Sequence, residues 1–488
     1  MPQLVSTTPK SVAVIGGGPA GLTCAYTLQK RAPGTSVTVF EADDLVGGIS
    51  RTVENDGFRV DIGGHRFFTK VPEVEAMWNE VLGSDFIRVP RLSRIYYREK
   101  FFDYPLKLFN ALSNIGVYES MRIILSYAKW RTMPYKEENS FEEWVINRFG
   151  GRLYMHFFRS YTEKVWGISP KNIRADWAAQ RIKNLSLPKA VWNAISGAND
   201  TVSLIEEFSY PRLGPGMMWE KTAELIEDRG GAVKLRSYVD RVERDGNRIV
   251  AVDVKDDTGT HRIEADEFIN TMDLRTLLRS MDPPPPQHVQ EAAEKLAYRD
   301  FLIVAMVLNT AEPFPDNWIY VHTSNVKVGR IQNFRAWSRE MVPNENQCLV
   351  GMEYFCNEGE ELWEMADDDL GKLAGEEIEK LGLAKASDRD WSFVIRQPKA
   401  YPVYDTEYKD AVDVIAEWIN SLENFQTIGR NGLHRYNNQD HSMLTGMLAA
   451  GNILGEDHDL WTVNVDRAYH EEFQRDDDAS DEAERKVA

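Results

Sequence analysis

The segment from Ser11 to Glu41 constrains the fold of this chain more than any other. Ser11-Val12-Ala13-Val14-Ile15 is a β-branched apolar run that leads directly into Gly16-Gly17-Gly18-Pro19-Ala20-Gly21, a G-x-G-x-x-G pattern. Leu22 to Arg31 then reads as a helix with Leu22, Ala25, Tyr26 and Leu28 facing inward, and Ser36-Val37-Thr38-Val39-Phe40 reads as a second strand. Glu41 follows 20 positions after Gly21. A lone glycine pattern is a weak signal whose plain explanation is a turn. Strand, helix, strand and acid in this order instead specify a βαβ dinucleotide-binding unit. Gly16, Gly18 and Gly21 permit the tight turn and the close backbone approach. The helix amino end offers N–H donors to a pyrophosphate, and Glu41 would accept from the adenosine ribose hydroxyls.

Two glycine pairs follow, in Val46-Gly47-Gly48-Ile49-Ser50-Arg51 and Asp61-Ile62-Gly63-Gly64-His65. Such pairs let backbone pass tightly over a cofactor. A plain NAD enzyme has no need for them, so FAD is the expected dinucleotide. Arg51 could pair bidentately with its pyrophosphate, a surface arginine being the plainer alternative. No second complete G-x-G-x-x-G unit for NAD(P)H is visible.

Beyond this unit, Met121 to Arg131 and Ser140 to Lys164 are rich in helix formers and aromatics. Ser140-Phe141-Glu142-Glu143 has the form of a capping box, Gly150-Gly151 ends that helix, and Leu153 to Tyr161 predicts another. A helix over Met217 to Arg229 follows the Gly214-Pro215-Gly216 turn. Val233 to Val239, Arg248 to Val254 and His261 to Ala265 read as a β-meander, with Glu267 to Thr271 a further strand. Pro283 to Pro286 is stiff and extended, a hinge between subdomains. Phe301 to Asn309, Trp318 to His322, Val328 to Phe334 and Cys348 to Cys356 predict an antiparallel sheet. Asp367 to Leu381 and His441 to Asn452 predict helices, and Phe425 to Thr427 a strand that enters a turn at Gly429. Asp476 to Glu484 reads as a solvated acidic tail.

Composition narrows the function classes. The 488 residues carry 43% hydrophobic and 27% charged side chains, which excludes a disordered or fibrous chain. The net charge of -19 disfavours non-specific nucleic-acid binding, so an anionic ligand would need a local arginine cluster. The longest apolar runs fall far short of the ~20 residues of a membrane span, and the first ten residues lack the layout of a secretory signal. Three cysteines without a C-x-x-C pair make a disulfide scaffold or a metal site unlikely and a reducing cytoplasm the expected setting.

Together with Gly429-Arg430 and His441-Ser442 near the carboxy terminus, these glycine units resemble those of the FAD superfamily of amine oxidases, protoporphyrinogen oxidases and carotene desaturases. More narrowly, the chain resembles the UDP-galactopyranose mutases. That likeness rests on Ser140 to Trp144, Tyr161-Thr162-Glu163-Lys164-Val165-Trp166-Gly167, Arg181, Gly329-Arg330, Ala400-Tyr401-Pro402 and Arg435-Tyr436-Asn437-Asn438-Gln439-Asp440-His441-Ser442. These matches run over nearly the whole chain in the family's order. The resemblance implies a redox-neutral interconversion of pyranose and furanose nucleotide sugars, UDP-galactose-like, through a sugar adduct at N5 of reduced FAD. NAD(P)H would be the external reductant.

It also implies roles. Arg181 and Arg330 would clamp the diphosphate with Tyr401 and Tyr436, Trp166 would lie near the sugar, and His65 would lie beside the flavin. Gly48, Gly64, Gly429, Arg430, Asn438, Gln439 and Ser442 would join Gly16, Gly18, Gly21, Glu41 and Arg51 around FAD. His441 would fix the loop over the flavin; His434 is less specific. Lys107 and Arg94 could assist the phosphates, and residues between Phe109 and Trp130 should stack the nucleobase, although none matches the family's uridine site. Competing readings are an FAD oxidase or desaturase acting on an amine, porphyrin or polyene, and a flavin-bearing binding protein without turnover. A homo-oligomer is compatible with all three.

The expected fold is α/β, with a discontinuous Rossmann-like FAD-binding domain, a helical insertion and an antiparallel-sheet substrate domain. FAD-binding parts are expected at 1–90, 215–285 (the meander) and 396–470, the helical cap at 91–214, the substrate sheet at 286–395 and the acidic tail at 471–488.

Overall fold

β-branched residues buried on both faces are the signature of a central parallel strand, and Val12, Val14 and Ile15 meet it with almost no exposed surface. The computed structural model describes residues 10–464 apart from 105, 107, 176 and 178–206. In it Ser11–Ile15 is the middle of a five-stranded parallel sheet. The order is Phe425–Thr427, Glu267–Asn270, Ser11–Ile15, Ser36–Phe40, Ala232–Lys234. Val12 and Val14 pack under the helices Pro19–Arg31, Gly216–Asp228 and Gln439–Ile453. Ala13 and Ile15 pack on the opposite side against the meander and the helices Leu274–Ser280, Gln287–Glu294 and Tyr408–Ile419.

The meander forms a four-stranded sheet in the order Gly259–Glu264, Arg248–Asp256, Tyr238–Asp245, Met281–Asp282. A third, seven-stranded sheet runs Arg389–Pro402, Tyr298–Leu308, Cys348–Cys356, Arg330–Asn333, Trp318–Val321, Ser93–Tyr97, Lys100–Asp103. Both its faces are covered. Phe301, Ile303, Ala305 and Val307 face the helical insertion, while Leu302, Val304, Met306 and Leu308 face the helix Asp367–Lys380 side.

Four expectations need correction. The predicted strand Val233 to Val239 is two strands. Ala232–Lys234 joins the parallel sheet, the chain turns at Arg236 with φ +51°, and Tyr238–Asp245 begins the meander. The segment from 91, expected to be helical, opens with Ser93–Tyr97 and Lys100–Asp103, which extend the third sheet. The helix predicted over Leu153 to Tyr161 is three consecutive pieces, Gly151–Tyr154, a π turn Met155–Arg159 and Ser160–Trp166. Pro283 to Pro286 is no hinge between cores. Leu278 and Met281 before it share one buried cluster with Val289 and Ala292 after it, and Arg244 donates to the Pro283 and Pro284 carbonyls. The predicted acidic tail lies outside the described residues.

The helix Phe141–Phe149 has the predicted cap. Glu143 N–H donates to Ser140 Oγ at 3.3 Å, and the Glu143 carboxylate accepts from Ser140 N–H at 2.9 Å. Ser140→Ala removes one acceptor for an otherwise orphaned N–H and is expected to cost about 1 kcal/mol. A denaturant titration reading loss of bound flavin should show it as a lowered midpoint at unchanged slope.

His434 has no exposed surface to speak of, a φ of +44° and an edge-on contact with the Tyr298 ring at 4.9 Å. Burial holds its imidazole down at about 4, with the Val403 carbonyl partly opposing. The unfolded chain therefore binds a proton that the folded chain refuses between about pH 6.5 and 4. Its contribution is present above pH 6.5 and lost as pH falls through that window. His434→Asn, which tolerates the left-handed backbone, is expected to flatten the fall in stability between pH 6.5 and 5 by about 2 kcal/mol. Denaturant midpoints of the two proteins at both pH values measure this.

Candidate functional site

A cavity of about 830 Å³ starts at the carboxyl ends of Ser11–Ile15 and Ser36–Phe40 and runs to the seven-stranded sheet. This is where open α/β sheets take their ligands. At the sheet end, Gly18 caps the helix Pro19–Arg31 without any side-chain partner, and no acidic residue occupies its first turn. Its first N–H groups are thus left for an anion. Glu41 Oε2 accepts from Gly17 N–H at 2.7 Å and Oε1 from Asp43 N–H at 2.9 Å. The carboxylate so held braces the turn, and burial pushes it above its ordinary range against those two bonds. Arg51 donates to the Gly48 carbonyl at 2.9 Å and pairs with Asp43 at 3.5 Å.

Further along the cavity, Gly63-Gly64-His65 crosses below Trp318. A Cβ on Gly64 would fall 1.3 Å from Trp318 Cζ3, so only glycine lets the indole lie on this backbone. His65 Nε2 lies 2.8 Å from the Ile62 carbonyl and 3.0 Å from that of Ile49. Two acceptors at one nitrogen place the ring proton there. Burial lowers the imidazole to about 4, and the Arg430 and Arg330 charges lower it further against those two carbonyls. It is neutral near pH 7.

Arg330 stands over Trp318 at 5.1 Å and Phe355 at 4.6 Å. One terminal nitrogen donates to the Tyr401 hydroxyl at 2.5 Å. Its Nε approaches Glu353 Oε2 to 2.6 Å as an ion pair, at an angle too bent for a good hydrogen bond. Burial opposes the guanidinium charge, but Glu353 and the surrounding tyrosines outweigh it and keep Arg330 protonated. Tyr401 and Tyr436 stack with centroids 5.6 Å apart and 19° between planes. Arg430 lies over Tyr436 at 4.2 Å and over Tyr401 at 5.0 Å. It donates to the Ala400 and Asn437 carbonyls, while its NH2 is buried without a partner. Trp166 closes this wall, 6.0 Å from Tyr401 and 6.3 Å from Tyr436.

Sequence expectations and geometry coincide widely. Gly16, Gly18, Glu41, Gly48, Arg51, Gly64, His65, Trp166, Arg330, Tyr401, Gly429, Arg430, Tyr436, Asn438, Gln439 and Ser442 all line this one cavity. Gly21 does not; it seats the helix against the Gly16 carbonyl. Arg181 and Lys107 lie outside the described residues. Arg94 forms a bidentate pair with buried Asp316 and stays off the cavity wall. No described residue between 110 and 130 lines the cavity, because the helix Val117–Thr132 turns most of its side chains to solvent. Tyr104, Leu106, Phe157 and Phe158 form that part of the wall. His441 Nδ1 accepts from Asn438 N–H at 3.3 Å and so caps its own helix.

Three features escaped the sequence reading. Glu353 is the only charged residue in the wholly buried strand Cys348–Cys356, a signal that it has a partner. Tyr161 and His322 stack at 4.2 Å and 13° on the cavity wall, and Tyr104 and Tyr320 stack at 4.3 Å. These pairs unite residues more than 150 positions apart, which no local pattern announces.

The residues present fit a flavin dinucleotide. Glycine backbone and an uncapped helix amino end occupy one part of the cavity. Elsewhere Arg430 NH2, Asn431 Oδ1, Gln439 Oε1 and His322 Nδ1 are buried on its wall without protein partners. Such atoms are costly unless a ligand or water satisfies them. Among the described residues no cluster of ligating side chains could hold a metal ion.

Known proteins agree on the cofactor. The chain is 39% identical over 79 residues to the coproporphyrinogen III oxidase of Mycobacterium tuberculosis, which is 16% of this chain and 18% of that protein. The matched region thus spans under a fifth of that relative's length. A 1-hydroxycarotenoid 3,4-desaturase of a Flavobacterium species is 25% identical over 308 residues, 58% of this chain and 61% of that protein. Among solved structures, reduced UDP-galactopyranose mutase superposes with a TM-score of 0.82 at 20% identity, covering 95% of this chain and all of that one. At that identity the likeness establishes the fold. The sequence profile of the flavin containing amine oxidoreductases matches residues 19–411, and the chain belongs to that family.

Proposed function

We propose that the protein interconverts the pyranose and furanose forms of a nucleoside-diphosphate sugar, UDP-galactose-like, with reduced FAD as its working cofactor and NAD(P)H as the reductant. The observation that carries this reading is Arg330. A guanidinium kept charged in a buried wall, bonded to a tyrosine hydroxyl and facing the space that the dinucleotide turn enters, is costly unless an anion uses it. A diphosphate does. It must leave the sugar and return to it, and fixed cations and hydroxyls stabilise its developing charge without reorganising.

Bound in the reduced state, FAD supplies a nucleophile for the anomeric carbon. The residues around it bind, orient and exclude water. Arg330 and the Tyr401 and Tyr436 hydroxyls hold the diphosphate, and Arg181 supplies the second cation. Trp166 closes the sugar space. His65, neutral near pH 7 with its Nε2 proton committed to two carbonyls, holds the Gly63-Gly64 backbone against the flavin and does not act as an acid. Arg430 bonds to Ala400 and Asn437 and thereby sets the Tyr401–Tyr436 stack.

A second reading, an oxidase or desaturase, is favoured by the aromatic wall of Phe141, Phe157 and Phe158 and by the activities of the two relatives. One experiment separates the two. The flavin-loaded protein is reduced without oxygen and given a panel of nucleotide sugars, and in parallel the oxidised protein is given amines, porphyrinogens and polyenes with oxygen. Furanose product from the first arm is the expected result. Oxygen consumption in the second arm with no product in the first would overturn the mutase reading.

A further inference from the structure

Exposed large hydrophobic side chains are not spread evenly over this protein. Eight of the eleven among the described residues fall between Val117 and Met155. Five of them, Val117, Tyr118, Met121, Ile124 and Leu125, sit on the helix Val117–Thr132, with Val117 79% and Leu125 69% exposed. At about 100° per residue, Val117, Met121, Ile124, Leu125 and Ala128 make one continuous stripe. Arg122 and Lys129 border one edge of it and Arg131 the other. The opposite face holds the helix to the protein. Ile123 is fully buried, Tyr127 and Trp130 pack on the main aromatic core, and Ser126 Oγ accepts from Arg152 N–H at 3.1 Å. The helix's one acid, Glu119, points to that attached face, where Arg152 and His156 bind it.

We infer that this helix lies flat on an anionic lipid bilayer, its apolar stripe in the headgroup boundary and its arginines and lysine on lipid phosphates. An apolar stripe edged on both sides by long basic side chains is the pattern of interfacial helices. At 16 residues the helix covers about 24 Å of surface. Charge decides between occupants. The chain as a whole is at -19, yet charges beyond about 8 Å are screened at physiological salt, so the local balance governs contact. The helix itself carries three bases against one neutralised acid. Glu137 and Glu138 follow it, and Glu138 is bound by Arg148 at 2.7 Å. A second copy pressing the same stripe would set Arg122, Lys129 and Arg131 near their own counterparts, whereas lipid phosphates neutralise them. No described helix is long and apolar enough to cross a membrane, so the contact is peripheral.

The full flavin-loaded chain is sedimented with vesicles of phosphatidylcholine alone and of phosphatidylcholine mixed with phosphatidylglycerol. Co-sedimentation with the anionic vesicles, reduced in high salt, is expected. Leu125→Asp, and separately Lys129→Glu with Arg131→Glu, should each lower the bound fraction about tenfold or more while retaining bound flavin and the melting temperature, since all three side chains are exposed. Wild-type protein that stays in solution with both vesicles overturns the inference, and so do variants that bind as well as wild type. A dimer in gel filtration that Leu125→Asp dissociates, with no vesicle binding, gives the stripe to a second copy instead.

Discussion

Arg330→Met is expected to lower kcat/KM for a nucleotide sugar about 100- to 1000-fold while leaving the flavin in place. Each charge-assisted contact to a diphosphate oxygen is worth about 1.5–3 kcal/mol, and methionine keeps the bulk against Trp318 and Phe355. The substitution also strands Glu353, which has no exposed surface. Losing one partner of a buried pair costs about 3–5 kcal/mol, so the single variant should be less stable as well as inactive. Arg330→Met with Glu353→Gln separates the effects. Gln332 Nε2 donates to the Glu353 carboxylate at 2.7 Å, and a glutamine there can still accept that bond. The double variant should regain most of the stability and none of the activity. Steady-state kinetics and a melting curve on the three proteins read both quantities. If activity returned with stability, Arg330 would be a structural residue.

Gly21→Ala is expected to weaken FAD binding about 100-fold or more, so that the protein purifies largely without flavin. The new Cβ would lie 2.1 Å from the Gly16 carbonyl oxygen and 3.1 Å from Val14 Cγ1. The first obstacle is backbone and cannot swing aside. The helix Pro19–Arg31 must lift from the strand, carrying its free N–H groups away from the phosphate position. Overpacking of this kind costs about 1–3 kcal/mol, and the upper end corresponds to about 100-fold in affinity. The flavin-to-protein ratio of the purified variant, titrated with added FAD, measures the loss. Full flavin content would mean that the helix end does not carry the phosphate.

What the sequence revealed, and what it hid, follows from the range over which each feature is encoded. The Ser11–Glu41 unit is local: strand, turn and helix sit within 31 residues, and each is read from its own pattern. Its partners in the parallel sheet were harder. Ala232–Lys234 and Phe425–Thr427 are three residues each, too short for periodicity, and their place beside Ser36–Phe40 and Glu267–Asn270 is set by topology. Arg330 and Tyr401 were legible through a family pattern, but the pair beneath them was not, because Glu353 gains its meaning only when Cys348–Cys356 packs against Arg330–Asn333. The same holds for Tyr161 and His322. The net charge misled in one respect only: it describes the surface, while the cavity gathers Arg51, Arg330 and Arg430.

The redox state of the flavin across one turnover tests the mutase reading most directly. The reduced protein, held without oxygen and mixed with a nucleotide sugar, should yield furanose product while the flavin stays reduced from start to finish. The oxidised protein should yield none. Bleaching of the oxidised flavin by an amine, porphyrinogen or polyene substrate, with no furanose formed by the reduced protein, would contradict it.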